Sequence, residues 1–250
     1  MNLNDPKIVS LRATVNAARE EFDMAIMFHE MWKPTVHDGE LRSRMGVSYA
    51  TKAFHITQVA LRRETLLALT RLWDKSDGAV RLWDIAKYLR DEDIINTLAA
   101  GGASLDAGIA KAIRKNLAEH AKQALVILDK YSVGGSHEGV LKSLRLMRDK
   151  RLAHRDIHAT MAPPGPDSSD DAVEAFIQDM SKLISLLLHL TERMAYDPAQ
   201  TAEVYGVHAE FFWAPVRGER TPGHPSYRAP QPTYLGAMAQ DSAPPEMSAR

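Results

Sequence analysis

The sequence predicts an all-α fold, an antiparallel bundle of about five long helices with short helices between them. Three observations predict it. Apolar residues recur at the three- and four-residue spacing of one helix face in segment after segment. No stretch alternates apolar and polar side chains as a half-buried strand requires. The breaks are short clusters of Gly, Pro, Ser and Asp, which suit tight connections between neighbouring helices.

Taken in order, Asn4-Asp5-Pro6 supplies a capping side chain and a proline at the first helical position. Ile8, Leu11, Val15, Ala18, Phe22 and Ile26 then share one face, so a helix runs to about Trp32 and Pro34 ends it. His29 falls near that stripe and reads as a core histidine with one hydrogen bond. After a loop containing Gly39, one long helix is expected from Leu41 to Trp73. Val47, Ala50, Phe54, Leu61, Ala68 and Leu72 mark its stripe, and Val59, Leu66, Leu69 and Trp73 widen it towards a second neighbour. Asp74–Gly78 is a turn by composition, and two short helices follow over Ala79–Leu89 and Asp93–Leu98. The tetrapeptide Arg-Leu-Trp-Asp occurs at 71–74 and again at 81–84. Its ten-residue offset fits no solenoid or propeller period and reads as coincidence.

Ser104 caps a helix to about Tyr131 with Ile109, Ile113, Leu117, Ala124 and Leu128 on one face. His120 shares that face and reads as core. Gly134-Gly135 breaks the chain, and Ser136 opens the helix that carries Arg148. Met161–Asp171 is a linker rich in Pro, Gly and Ser. The last long helix, about Asp170–Tyr196, has a wide stripe through Val173, Ile177, Met180, Ile184 and Leu187, which suits a bundle core or a core plus a dimer seam. The expected organisation is an N-terminal helix on the bundle (1–40), the bundle (41–198), a short helix or extension (199–214) and a Pro-rich tail with little to bury, extended or disordered unless a partner holds it (215–250).

The chain has 250 residues, enough for one sizeable core, and a formal net charge of −1, so any affinity for nucleic acid must come from a local patch. It contains no cysteine, which excludes disulfides, thiolate nucleophiles and cysteine-based metal centres. The N-terminal stretch carries charges in its first turns, unlike a signal peptide. The most apolar run, 183–190, is too short to span a bilayer. A cytoplasmic protein without membrane contact is expected.

One stretch, Leu141–His158, offers defined chemistry. Lys142, Arg145, Arg148, Lys150, Arg151 and Arg155 stand against Asp149 and Asp156, which leaves a local charge of +4. Arg148, Asp149 and His154 fall together at an expected helix end. A permanently charged guanidinium beside an imidazole can hold a phosphate and move a proton near neutral pH.

The run Arg148–Asp156, RDKRLAHRD, resembles the signature of the HEPN superfamily of helical bundles. That signature is an arginine, often followed by Asn, Asp or His, and then a histidine after four to six further residues; here Asp149 follows Arg148 and five residues separate Arg148 from His154. Leu61–Lys75, LRRETLLALTRLWDK, is similar to the preceding core helix of the abortive-infection branch. The two similarities together span roughly Leu41 to Tyr196.

The resemblance implies a HEPN-like bundle that dimerises and works as a metal-independent endoribonuclease without a cofactor, in phage defence or a toxin–antitoxin system. It implies catalytic roles for Arg148 and His154, with Asp149 orienting the arginine, and RNA-binding roles for Lys150, Arg151 and Arg155. RNA, a second copy and an antitoxin or other partner protein are the expected partners. One departure stands out. A toxin branch carries a tyrosine two residues beyond the histidine, where this chain has Asp156.

Plainer readings stand beside this one. Basic residues favour a helix C-terminus through the dipole, so Arg148 and His154 also fit a structural role there. A non-catalytic HEPN-like module binding RNA, a nucleotide or a partner protein would use the same patch. His154 and His158 have the spacing of metal ligands on a helix, without the glutamate of a zinc hydrolase or an evident third ligand.

Overall fold

The computed structural model describes residues 5–74, 76, 79–100, 107–146 and 170–230. Its first helix, α1 (Pro6–His37), begins as its sequence dictates: Asp5 accepts the Lys7 amide at 2.8 Å with Pro6 in the first turn. It runs one turn past the expected end, through Pro34, whose carbonyl accepts the Asp38 amide at 3.0 Å. Ile8, Leu11, Val15, Ala18 and Phe22 are all but inaccessible to solvent, and burying each large side chain of this kind is worth roughly 1.5–3 kcal/mol.

The expected helix from Leu41 to Trp73 is two helices, α2 (Gly39–Met45) and α3 (Tyr49–Arg71). Gly46 makes the break, with φ at +51°, a conformation that side chains other than glycine adopt at a cost. Asp38 both ends α1 and caps α2, accepting the amides of Glu40 and Leu41. The shorter helices are α4 (Leu82–Leu89) and α5 (Glu92–Ala100). Then come α6 (Ala107–Tyr131), α7 (Glu138–Leu146), α8 (Asp170–Glu192) and α9 (Pro198–Trp213). The described residues contain nine helices and no strand, so the fold is all-α, as the periodicity predicted. Ser104 lies outside the described residues. α7 is described only as far as Leu146.

Helix α1 lies against α3, α8 and α9, and α6 pairs with α8. The main core collects the inner faces of α1, α4 to α8 and the second half of α3, around Phe22, Trp73, Tyr131 and Phe176. Tyr131 meets Phe176 edge-on at 4.9 Å, and its hydroxyl donates to Asp179 at 2.6 Å, which ties α6 to α8. A smaller cluster, Leu41, Met45, Phe54, Ala209 and Trp213, joins α2, the first half of α3 and α9.

After α9 the chain folds back over the corner between α2 and α3. The Gly218 amide and the Thr221 hydroxyl both donate to the carbonyl of Arg44, at 2.9 and 2.6 Å. Glu219 accepts the first two amides of α3, from Tyr49 at 2.5 Å and Ala50 at 3.3 Å. Among the described residues no helix is long and apolar enough to cross a membrane.

Candidate functional site

The residues singled out for chemistry, Arg148, Asp149, Lys150, Arg151, His154 and Arg155, lie outside the described residues, as do Asp156 and His158. What the structure defines is the ground on either side of them, the end of α7 and the start of α8.

On the α7 side, Arg145 donates to the backbone carbonyl of Trp73 at 2.8 Å and sits 5.3 Å from the centre of the Trp83 ring. That contact rests on the two Arg-Leu-Trp-Asp copies. Trp73 and Trp83 meet edge-on at 4.7 Å, the Trp83 indole donates to the Trp73 carbonyl at 3.0 Å, and Trp73 and Arg81 form a single antiparallel bridge. One tryptophan from each copy thus helps to seat the arginine.

On the α8 side, Asp170 pairs with Arg62 of α3. The Arg62 guanidinium lies 4.4 Å from the centre of the Trp32 ring, and burial lowers its pKa against the opposing pull of Asp170 and Glu174. One turn further along α8, Glu174 bonds to Nε2 of His29 at 3.0 Å. His29 is buried with one hydrogen bond, as its position near the stripe implied, and its Nδ1 has no partner among the described residues. Desolvation lowers the His29 pKa, and Glu174 opposes that shift. Arg62, Trp32 and Glu174 carry no sequence signal. Arg62 differs from its neighbour Arg63 only by its phase on α3, 100° further round the helix, and that phase matters only once α8 is in place.

A second polar cluster lies at the far end of α8, about 28 Å of helix from Asp170. His120, expected in the core, is only half-buried, and its ring faces His189 at 4.5 Å. Asn116 holds both rings: its backbone oxygen accepts from Nδ1 of His120 at 2.9 Å, and its side-chain oxygen lies 3.1 Å from Nε2 of His189. Desolvation, then His120 and Arg193, lower the His189 pKa. Arg193 has a left-handed backbone, φ 54°, and its guanidinium donates to the carbonyls of Leu98 and Ala99. Among the described residues no three His, Asp or Glu side chains converge as metal ligands.

The family model HEPN_AbiU2, described as AbiU2, matches residues 8–210, which covers α1 to α8, most of α9 and the segment between α7 and α8. No curated protein and no solved structure matches the chain.

Proposed function

The chain belongs to the HEPN AbiU2 family, an abortive-infection domain family, and from that premise we propose that it is a metal-independent endoribonuclease acting as a homodimer in the cytoplasm, in phage defence or a toxin–antitoxin system. One observation carries the reading. Arg148-Asp149, four further residues and His154 stand together inside the matched span, on the basic stretch that follows α7.

The chemistry follows from those side chains. Neutral His154 takes the proton of an RNA 2′-hydroxyl as that oxygen attacks the adjacent phosphorus. Arg148 donates to the phosphate oxygens and offsets the charge that builds in the transition state. Asp149 orients the guanidinium. The bond from phosphorus to the 5′-oxygen breaks, and protonated His154 of the second copy supplies the proton that oxygen needs. The products are a 2′,3′-cyclic phosphate and a 5′-hydroxyl. Lys150, Arg151 and Arg155 hold flanking phosphates, an attraction that weakens as salt rises.

The test is RNA incubated with the protein in EDTA. Cleavage that survives chelation and disappears in His154→Ala is expected, and equal cleavage by that variant refutes the assignment.

A second reading is favoured by Asp156, two residues from His154, whose carboxylate would raise the imidazole pKa and weaken it as a base. On this reading the basic stretch binds RNA, a nucleotide or a partner protein such as an antitoxin without turnover. Salt-sensitive binding with no cleavage product is its signature.

A further inference from the structure

Two imidazoles meet at the far end of α8, away from the basic stretch. His120 comes from α6 and His189 from the last turn of α8, and both line one cavity of about 340 Å³ together with Met194 and Asp197. Each ring is held in a defined tautomer. The backbone oxygen of Asn116 only accepts, so Nδ1 of His120 carries the proton it donates there. The side-chain oxygen of Asn116 likewise takes the proton on Nε2 of His189. In the neutral rings this leaves one bare lone pair on Nε2 of His120 and another on Nδ1 of His189. Among the described residues neither of these nitrogens has a hydrogen-bond partner, and neither is sealed from solvent.

An imidazole that donates one ring N–H to an oxygen and keeps the other nitrogen bare is prepared to bind a metal, because the donated bond fixes the ring and raises the basicity of the free nitrogen. The spacing agrees. With each nitrogen about 2.0–2.1 Å from a zinc-sized ion, two rings on one ion have their centres about 4.5–5.2 Å apart for bond angles between square and tetrahedral. The centres of His120 and His189 are 4.5 Å apart, with the ring planes tilted by 43°. The charges agree as well. Burial, then His120 and Arg193, lower the pKa of His189, which keeps that ring neutral and its lone pair free. The carbonyls at the end of α8 favour a cation, and Asp197 is a carboxylate on the same cavity. Arg193 opposes a cation, but its guanidinium is turned to the carbonyls of Leu98 and Ala99.

We propose that His120 and His189 together hold one divalent ion of the zinc, nickel or copper kind, which bridges α6 to α8. Two imidazoles select such ions over magnesium or calcium, which take oxygen ligands. No third His, Asp or Glu side chain converges on the pair among the described residues, so water completes the coordination. The ion therefore exchanges with solution and is not required for folding, unlike one in a closed four-ligand structural site. It fastens one end of the bundle and takes no part in cleavage, since none of these residues belongs to the proposed catalytic set.

The experiment titrates the chelator-stripped full chain with zinc chloride in a calorimeter. The wild type should bind zinc, and magnesium chloride in its place should give no binding heat. His120→Gln and His189→Gln should each weaken the zinc site about tenfold or more, and Asn116→Ala, which keeps both rings but removes the oxygen that orients His189, should weaken it several-fold. A chain in which His154 and His158 are both changed to Gln should keep the site, which separates it from the other histidine pair at metal-ligand spacing. Zinc should also raise the melting temperature of the wild type and leave that of the His120 and His189 variants where it was. Asn116 is exposed, so its variant tests the site even where a ring substitution disturbs folding. A wild type that binds no zinc, or binding that is undiminished in the His120, His189 and Asn116 variants, overturns the proposal. RNA cleavage plays no part in the readout, so this inference and the nuclease reading fail separately.

Discussion

Arg62 of α3 lies 4.4 Å from the ring centre of Trp32 on α1 and at the same time holds Asp170, the first residue of α8. One side chain thus fixes the point where the chain rejoins the bundle after the segment that carries Arg148 and His154. Asp170 is largely exposed, so the ion pair alone contributes little. The contact with the indole adds about 0.5–1 kcal/mol, and the buried stem adds packing. Arg62→Ala should cost about 1–2 kcal/mol in all and lower the melting temperature by roughly 2–8 °C. Arg62→Lys should fall between, because an ammonium lacks the planar fork. An unchanged melt for Arg62→Ala would remove this anchor from the account.

Acidification should destabilise the fold through two histidines. Burial lowers the pKa of both His29 and His189 below the usual 6.5. In the unfolded chain each binds a proton as the pH falls through about 6.5, while the folded chain resists. The unfolded state therefore carries more protons in that window. Stability is fully present above about 6.5 and is lost progressively as the pH falls towards the folded pKa values. Thermal melts between about pH 7.5 and pH 5.5 should show the decline, and His189→Gln should flatten part of it. A melting temperature that holds or rises on acidification contradicts the assignment.

The helical phase of α1, α6 and α8 was legible in the sequence because their inner faces repeat at regular spacing over many turns. His29 was legible for the same reason. The break at Gly46 was not. The stripe carries on through it in register, and only the backbone conformation distinguishes a helix from a corner. The Trp73–Trp83 pair was visible as a repeat but not as a contact, since its ten-residue offset matches no regular period and the pairing depends on a bridge across an irregular turn. His120 was placed in the core because its spacing allows it. It sits at the edge of the face that buries Leu117, Ala121, Ala124 and Leu128, with its ring turned to His189. The basic motif stands out in the sequence but lies outside the described residues, and the contacts that flank it, Arg62 with Asp170 and Arg145 with Trp73, were not legible, because each joins residues more than 70 positions apart.

The chain after α9 holds the start of α3 through Glu219. Its carboxylate accepts two free amides where the helix dipole favours negative charge, and those bonds lower its pKa to about 2. The folded pKa lies below the unfolded one, so this tether is complete above the ordinary carboxylate range and weakens only as the pH falls towards 2. Glu219→Gln should leave one of the two amides bonded to its single, weaker acceptor oxygen, and Glu219→Ala should free both. Hydrogen exchange at the Tyr49 and Ala50 amides should rise mainly at one of them in the first and strongly at both in the second, at neutral pH. Equal exchange in all three forms would mean that the carboxylate does not hold this end of the helix in solution.

Within the basic stretch, Arg148 and Arg151 carry the same charge and differ in assigned role. A group that acts on the reacting phosphate stabilises the transition state more than the bound substrate, whereas one that holds a flanking phosphate stabilises both alike. Arg148→Ala should therefore lower kcat far more than it weakens RNA binding, with a loss on the order of 100-fold or more in rate. Arg151→Ala should weaken binding several-fold, make it less sensitive to salt by about one phosphate contact, and leave kcat close to wild type. The two variants thus separate the readings that share this patch. If both change affinity to the same extent and no turnover is found in either variant or in the wild type, the stretch is a binding surface, and the imidazole of His154 has no proton to move.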